Sequence, residues 1–328
     1  MAPFLEVTDV SKQGEDGFTV RGITFAQKRF QKIVVAGETG SGKTTLLKLI
    51  AGLAQPDAGE ITFLGEPIYG LNETLVPGHP GIVYLSQHSE LPKFLRVEQV
   101  LGYSNVLSEE EAAAIVDICD IGHLMMRKTD QLSGGERQRI ALALRLISSP
   151  KLLLLDEPFS NLDFVHKRIL KSVIERIGAR LKISCILVSH EPADTLPWAD
   201  KIVVLKDGQL VQTGTPEKIY RQPVNTYVAG LFGKYVSLTT GTFNALFPAA
   251  AVKTKRKHVM IRPEQLTLTT KGKKALKGKI IATNFFGGYQ ELEVFTSGIH
   301  LTVRAGVSSP AIGTEVYVSI NPGEAWAY

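Results

Sequence analysis

The segment Gly37-Glu-Thr-Gly-Ser-Gly-Lys43-Thr44 is the strongest indication of the fold in this sequence, because it matches the pattern G-x-x-x-x-G-K-[ST]. It follows an apolar, strand-like run at residues 33–36 and opens a helical pattern at residues 44–51. In such a loop, glycines let backbone amides converge on phosphate oxygens at a helix N-terminus that favours negative charge. A chance glycine-rich turn is the alternative, and the flanking strand and helix argue against it. The predicted phosphate-binding residues are Gly37, Glu38, Thr39, Gly40, Ser41, Gly42, Lys43, Thr44 and Thr45.

Four consecutive leucines at residues 152–155 lead into the acid pair Asp156 and Glu157. A run that is apolar at every position predicts a parallel strand covered on both faces, and α/β sheets bind ligands at the carboxyl ends of such strands. We expect Asp156 and the Thr44 hydroxyl to bind Mg²⁺ and Lys43 to reach the β- and γ-phosphates. Glu157 is then placed to polarise an attacking water as a general base. A solvated loop is the alternative for the acid pair, and the phosphate loop upstream argues against it.

A second anion site is predicted in Leu132-Ser-Gly-Gly-Glu136-Arg-Gln-Arg139. Ser133 can cap the helix that follows, and the two glycines leave its amides uncovered. Taken alone, this is an ordinary helix start, because the apolar stripe of Ile140, Leu144 and Ile147 would serve packing equally well.

Together these motifs resemble those of the ATP-binding cassette (ABC) ATPases, where they occur in the same order. The resemblance implies an α/β P-loop NTPase cassette with a helical subdomain, which hydrolyses ATP with Mg²⁺. It also implies that two cassettes close head to tail with two ATP at the interface. Ser133, Gly134 and Gly135 of one cassette then face the γ-phosphate held by Lys43 of the other. The second cassette is another copy of this chain or a paralogue.

Three further positions match motifs of the family. Gln87, in Val83-Tyr-Leu-Ser-Gln87, resembles the glutamine that contacts Mg²⁺ and senses the membrane subunit. His190 resembles the switch histidine that contacts the γ-phosphate and the attacking water, although a lone histidine is most often structural. Asp163 matches the loop that reaches across the dimer interface.

The resemblance also implies an aromatic residue that stacks on adenine, at a place that falls near Gln13 and Gly14 in this sequence. Phe18 is the nearest aromatic residue and the candidate for that contact, with a buried strand position as the alternative.

The segment at about residues 88–145 resembles the helical subdomain that grips a cytoplasmic helix of the permease. After Ser108, an apolar stripe predicts a helix that carries Ala112, Ile115, Val116 and Cys119. Candidates for an apolar docking patch, with core packing as an equal alternative, are Phe94, Leu95 and Val97.

Beyond Val236, helical patterns give way to short β-type segments at residues 259–262, 278–282, 290–295, 300–304 and 315–320. This predicts a small all-β barrel at residues 237–328, which a helix and linker at residues 215–236 connect to the cassette at residues 1–214. With Val259-Met-Ile-Arg262-Pro263-Glu264, the region resembles the OB-like TOBE barrel of importer ATPases for sugars, iron and polyamines. Its lysine-rich stretches suit an anionic effector, lipid headgroups or nucleic acid, with solvated loops as the plainer interpretation; aromatic residues that stack on bases are sparse.

Composition bounds the remaining possibilities. The chain has 328 residues, with 44% hydrophobic and 21% charged residues, which suggests two globular domains and excludes a disordered or fibrous chain. No run approaches the roughly 18 apolar residues of a membrane-spanning helix, and we expect no secretory leader. Cys119 and Cys185 are the two cysteines and lie far apart, which excludes a disulfide framework or a zinc site. The formal net charge of +5 suits an anionic ligand or surface.

We therefore expect the ATP-hydrolysing subunit of an ABC importer, peripheral on the cytoplasmic face of the cell membrane. It would drive separate permease subunits and, through them, act with an external solute-binding protein. A soluble ABC ATPase acting on ribosomes or nucleic acid is the alternative, but such chains usually carry two cassettes or a long coiled coil, and this sequence has one signature and no heptads. A third interpretation makes the barrel a regulatory binding module with the cassette as its switch.

Overall fold

The computed structural model describes residues 4–14, 17–70, 77–86, 91–160, 162–269, 275–308, 310–321 and 323–328, with the backbone but not the side chain of Phe18. The chain forms two compact units, which are Met1–Pro216 and Glu217–Tyr328. The second unit thus begins before residue 237, where the sequence predicts the start of the second domain. Among the described residues, no helix is long and apolar enough to cross a membrane.

The first unit is an α/β domain. Its strands are β1 (Leu5–Gly14), β2 (Gly17–Gln27), β3 (Lys32–Ala36), β4 (Ala58–Phe63), β5 (Glu66–Pro67), β6 (Ile82–Leu85), β7 (Leu152–Asp156), β8 (Ser184–Val188), β9 (Lys201–Lys206) and β10 (Gln209–Gly214). Its helices are α1 (Lys43–Ile50), α2 (Val97–Tyr103), α3 (Glu109–Ile118), α4 (Gly134–Leu146), α5 (Phe164–Arg176) and α6 (Pro192–Thr195). Short 3₁₀ turns lie at Gly122–Leu124 and Thr129–Gln131, and a π-helical turn at Ile177–Leu181 extends α5.

The central sheet of this unit has the order β10-β9-β3-β8-β7-β6. Strands β9, β3, β8, β7 and β6 run parallel, and β10 is antiparallel to β9. Every residue of β7 and β8 is buried, which confirms the covered parallel strand that the four leucines predict. The carboxyl ends of β3, β7 and β8 therefore meet at one edge of the sheet, where the chain continues into Gly37, Glu157 and Ser189.

Helix α1 packs between this sheet and a second, antiparallel sheet of order β2-β1-β4-β5. Leu47 and Ile50 of α1 belong to one hydrophobic cluster with Leu154 of β7, Val188 of β8 and Phe63 of β4. Full burial of such a side chain contributes about 1.5 to 3 kcal/mol. The cluster therefore fixes the N-terminus of α1 beside the carboxyl ends of the strands.

Helices α2, α3 and α4 lie between β6 and β7 in the chain. The Ser108 hydroxyl accepts a hydrogen bond from Glu111 N at 3.3 Å, and the Glu111 carboxylate accepts one from Ser108 N at 3.0 Å. This reciprocal cap confirms the predicted start of α3. Val97 is fully buried whereas Phe94 is 70% exposed, so core packing accounts for Val97 and not for Phe94. Leu95 is half-buried.

The second unit is rich in antiparallel β-structure, as predicted. Its strands are β11 (Val236–Thr239), β12 (His258–Ile261), β13 (Leu266–Thr269), β14 (Leu276–Phe285), β15 (Gln290–Thr296), β16 (Ile299–Ala305), β17 (Glu315–Ile320) and β18 (Trp326–Ala327). They form sheets of order β11-β12-β18 and β13-β17-β14-β15-β16. Helices α7 (Pro216–Arg221), which starts at the boundary, α8 (Thr226–Leu231) and α9 (Thr240–Leu246) accompany them, with 3₁₀ turns at Pro248–Ala250 and Pro263–Gln265.

Helix α9 is an element that the sequence analysis missed. Thr239 caps it by accepting a hydrogen bond from Thr242 N at 3.1 Å. Phe243 of α9 and Phe247, which directly follows the helix, are buried one turn apart with ring centroids separated by 5.5 Å. Two aromatic residues over a single pair of turns are too few to give a detectable helical period.

Arg262 explains why α7 and α8 belong to the second unit. Its side chain is buried, and its guanidinium donates hydrogen bonds to the carbonyl oxygens of Ala229 (3.0 Å), Gly233 (2.9 Å), Lys234 (3.2 Å) and Tyr220 (3.2 Å). These carbonyls lie at or after the ends of α7 and α8, where helices leave acceptors without intrahelical donors. One residue beside β12 therefore satisfies the ends of two preceding helices.

Replacing Arg262 with alanine tests this clamp. We expect Arg262→Ala to lower the free energy of unfolding of the second unit by about 3 kcal/mol, because buried carbonyls lose their donors. The measurement is urea unfolding of the full chain in a Trp198→Phe background, in which Trp326 is the remaining tryptophan. Arg221→Ala removes an exposed ion pair with Glu217 (3.2 Å) and should cost below about 1 kcal/mol. Equal losses in the two variants would contradict the clamp.

Candidate nucleotide site

The loop between β3 and α1 has the backbone of a tight phosphate-binding turn. Gly40 and Gly42 have positive φ angles of 83° and 95°, a region that side chains with a Cβ rarely adopt. A Cβ at Gly42 would also lie 2.4 Å from the carbonyl oxygen of Thr19. Position 42 therefore requires glycine for two reasons, its positive φ angle and the close approach of the β2 backbone to its Cα.

Lys43 begins α1 and lies against this loop. Its ammonium group donates hydrogen bonds to the carbonyl oxygens of Gly37 (2.9 Å) and Glu38 (2.7 Å), and the residue is 6% exposed. Burial lowers the pKa of Lys43, while the charges of Glu157, Asp156 and Glu38 act in the opposite direction. The lysine is thus held inside the loop, facing the acid pair.

A cleft of about 340 Å³ opens at this edge of the sheet. It brings together eight predicted site residues from the loop, α1 and the end of β7, namely Thr39, Gly40, Gly42, Lys43, Thr44, Thr45, Asp156 and Glu157. Thr19 of β2 lines the cleft as well, and sequence analysis missed it. Thr19 directly follows Phe18, which the family resemblance suggested as the adenine contact. That suggestion therefore fell on β2, the strand that does reach the cleft.

Glu157 follows β7 and is held by three neighbouring groups. Its backbone has a positive φ of 47°, and its amide donates a hydrogen bond to Val188 O at 3.1 Å. Its Oε2 accepts a hydrogen bond from the Ser160 hydroxyl at 2.9 Å and lies 3.2 Å from His190 Nδ1. Two predicted site residues from neighbouring strands, Glu157 and His190, are therefore in contact.

The segment after His190 is joined to α5 by ion pairs. Lys167 of α5 pairs with Asp194 at 2.8 Å and also with Glu191, and Lys171 pairs with Asp194 at 2.5 Å. The Asp194 side chain is 1% exposed, so two cations surround a buried carboxylate. The loop that carries His190 is thereby tied to the helix that begins after Asp163.

The predicted second anion site has the expected cap. The Ser133 hydroxyl accepts a hydrogen bond from Glu136 N at 3.3 Å, and the Glu136 carboxylate accepts one from Ser133 N at 2.8 Å. Ser133 and Gly134 are exposed, whereas Gly135 is buried. None of these three residues is among the described residues that line the cleft.

Asp163 caps α5 and contacts His166. Its carboxylate accepts a hydrogen bond from His166 N at 2.9 Å and lies 2.6 Å from His166 Nδ1. Both contacts lower the pKa of Asp163, and the hydrogen bond from the His166 backbone has the larger effect. The ring of His166 in turn packs on Gly135, where a Cβ would lie 2.4 Å from His166 Cδ2. His166 thus connects Asp163 with the start of α4.

Two predictions lie outside the described part of the chain. Gln87 is not among the described residues, and the side chain of Phe18, whose backbone belongs to β2, is likewise not described.

Comparison with known families gives two matches. The family described as ABC transporter matches residues 20–160, and the TOBE domain matches residues 259–327. The chain is 34% identical over 296 residues to the Fe(3+) ions import ATP-binding protein FbpC 3 of Rhodococcus jostii, covering 86% of this chain and 85% of that protein. The chain belongs to the ABC transporter family. It is an importer-type ABC ATPase with a TOBE domain.

Two further relatives of this ABC ATPase span most of its length. One is FbpC 1 of Rhodococcus jostii, also named as an Fe(3+) ions import ATP-binding protein. It is 32% identical, and the match covers 98% of this chain and 94% of that protein. The spermidine/putrescine import ATP-binding protein PotA of Clostridium acetobutylicum is 31% identical, over 88% of this chain and 86% of that protein.

Solved structures of cassettes have the same fold. CbiO1 of Clostridium perfringens, part of the ABC transporter complex cbiONQ, matches with a TM-score of 0.60 and 25% identity over 76% of this chain and 97% of that chain. The ADP conformation of the cassette MJ1267 matches with a TM-score of 0.58 and 20% identity over 71% of this chain and 99% of that one. The predicted P-loop cassette is therefore confirmed.

The contact between Gly135 and His166 in this ABC ATPase gives a matched pair of variants. Gly135→Ala should destabilise the cassette by about 1 to 3 kcal/mol, because its Cβ would overlap the His166 ring. Gly134→Ala, one residue earlier in α4, meets no atom within 4 Å and should be neutral or slightly stabilising. The measurement is urea unfolding followed by Trp198 in a Trp326→Phe background. His166→Ala should restore most of the loss in Gly135→Ala, and absence of such coupling would contradict the packing.

Proposed function

We propose that the chain hydrolyses ATP at the cleft between the Lys43 loop and the end of β7, as one of two cassettes in a dimer. The observation that carries this proposal is the contact of Glu157 with His190 at 3.2 Å, beside the cleft that Lys43 and Glu157 both line. A carboxylate and an imidazole at the edge of a phosphate-binding cleft are suited to activating and orienting a water molecule.

The residues at the cleft fit Mg²⁺. Thr44 and Asp156 line it together and offer a hydroxyl and a carboxylate, the hard oxygen ligands that Mg²⁺ takes. Mg²⁺ is commonly held by one or two protein ligands together with substrate phosphates, and two such oxygen donors line this cleft. The ion would neutralise charge on the β- and γ-phosphates. Thr44 and Asp156 would hold it, with Gln87 as a further ligand that the family resemblance implies.

Each of the protein groups at the cleft then has one role in hydrolysis. Backbone amides of the turn at residues 37–42 and the Lys43 ammonium bind the phosphates. Glu157 accepts the proton of the attacking water on its carboxylate. Its positive φ and its hydrogen bond from Ser160 fix the direction of that carboxylate. His190 orients the Glu157 carboxylate and the water.

The dimer is supported by where the second anion site lies. Ser133 and Gly134 are exposed at the N-terminus of α4. Neither belongs to the described residues that line the cleft. We infer that Ser133, Gly134 and Gly135 bind the γ-phosphate of a nucleotide held by a second cassette, with Asp163 at the same interface. This interface would close with ATP bound and open after hydrolysis.

We further propose that the ATPase works on separate membrane permease subunits, at the inner face of the cell membrane. The relatives named for Fe(3+) and spermidine/putrescine import support coupling to uptake, in which an external solute-binding protein acts through the permease. The exposed Phe94 is the candidate that remains at the surface for contact with the permease.

Glu157→Gln tests the catalytic role. We expect the variant to bind ATP normally and to lose about 10² to 10⁴-fold in turnover, because the amide cannot accept the proton of water. It should accumulate as a closed dimer with Mg-ATP, which size-exclusion chromatography with light scattering would measure. Glu175→Gln, at an exposed glutamate of α5, should retain turnover and stay monomeric. Normal hydrolysis by Glu157→Gln would remove Glu157 from the role of base.

Partner capture tests the transport role. Tagged Glu157→Gln protein, purified from native membranes with Mg-ATP, should retain a polytopic permease, because the closed state is trapped. The same preparation without nucleotide should retain less of it. Recovery of ribosomes or nucleic acid in place of a membrane protein would favour the soluble alternative.

A further inference from the structure

A hydroxyl that is not among the predicted site residues touches the buried carboxylate of the cleft. Tyr84 of β6 donates a hydrogen bond from its hydroxyl to Asp156 Oδ2 at 2.8 Å. Asp156 is 4% exposed, so little water is available to that carboxylate in the absence of a ligand. The Tyr84 hydroxyl thus provides a hydrogen-bond donor for one of the two carboxylate oxygens of Asp156.

The register of the sheet explains why a tyrosine makes this contact. β6 is the edge strand and pairs in parallel with β7, with Tyr84 opposite Leu154. Leu154 and Asp156 project from the same face of β7, because side chains alternate along a strand. Asp156 is therefore the diagonal neighbour of Tyr84, at a spacing of about 7 to 8 Å that an aromatic side chain can cross and a shorter one cannot.

The hydrogen bond restrains the carboxylate as well as satisfying it. The terminal torsion of an aspartate side chain is broad, so a carboxylate without fixed donors samples many orientations. A donor at Oδ2 limits that rotation.

The ring of Tyr84 has a separate structural place. It lines an apolar groove of about 590 Å³ whose wall includes Leu53, Pro80, Ile82 and Val83. Removing only the hydroxyl leaves that ring packing intact. The contribution of the hydroxyl to Asp156 can therefore be separated from the contribution of the ring to the fold.

We propose that Tyr84 is a positioning residue that holds the Asp156 carboxylate in the orientation that binds divalent metal. This rests on the proposed function, in which Asp156 is a ligand of the metal–nucleotide complex. Tyr84 acts through Asp156 and touches neither nucleotide nor water in this role.

The test is Tyr84→Phe in the full chain, with Mn²⁺ and a non-hydrolysable ATP analogue as the probes. We expect the Mn²⁺ concentration that half-saturates the protein–analogue complex, followed by electron paramagnetic resonance, to rise about tenfold, since hydrogen bonds to charged groups are the stronger ones. Affinity for the analogue in EDTA should change less than twofold. In hydrolysis, the half-saturating Mg²⁺ concentration should rise while kcat at saturating Mg²⁺ stays within about threefold.

Tyr220→Phe is the matched control. It too removes a tyrosine hydroxyl bound to a carboxylate, that of Glu264 at 2.5 Å, but in the second unit. It should leave the Mn²⁺ and Mg²⁺ half-saturation values unchanged.

The possible results separate the two proposals. Unchanged Mn²⁺ half-saturation in Tyr84→Phe, with normal binding by the wild type, overturns the role of Tyr84 and leaves the proposed function standing. Equal weakening of analogue binding with and without metal also overturns it, since a general loosening of the fold would do this. A wild-type protein that hydrolyses ATP equally well with and without divalent metal refutes the metal role of Asp156, and the role of Tyr84 with it.

Discussion

Burial of opposite charges at one sheet edge is the constraint on which the cassette depends. Lys43 and Asp156 are 6% and 4% exposed, and isolated charges at such burial are costly. Carbonyl oxygens of the loop accept from the lysine, and Tyr84 donates to the aspartate. The loop follows β3, Tyr84 lies on β6 and Asp156 ends β7. The arrangement of these groups therefore depends on the parallel pairing of β3, β8, β7 and β6 and on the packing of α1 against the sheet.

Local features of the sequence predicted the architecture well. The glycine spacing of the Lys43 loop, the four-leucine strand and the Ser133 cap each depend on residues within one turn or one strand. Their physical signals, which are positive φ, full burial and reciprocal capping, are therefore complete within a few consecutive residues. The order of these motifs was enough to identify the ABC fold, and the strongly alternating segments after residue 258 were enough to identify β-structure.

Contacts set by register and by distant chain segments could not be predicted. Tyr84 acquires its role because β6 pairs with β7 in one register, and Thr19 because β2 crosses the loop at Gly42. His166 packs on Gly135 only when α4 and α5 meet, and Arg262 finds its acceptors at the ends of α7 and α8. None of these residues carries a spacing signal, since each partner lies many residues away.

The ion pairs around Asp194 give α5 a mechanical property. Two lysines on successive turns of α5 hold one buried carboxylate of α6, so relative sliding of the two helices would break both pairs at once. The segments that carry Asp163 and His190 are consequently joined through a buried carboxylate as well as through the chain. Any motion that separates α6 from α5 must therefore expose the Asp194 carboxylate to water or leave it buried without a counter-ion.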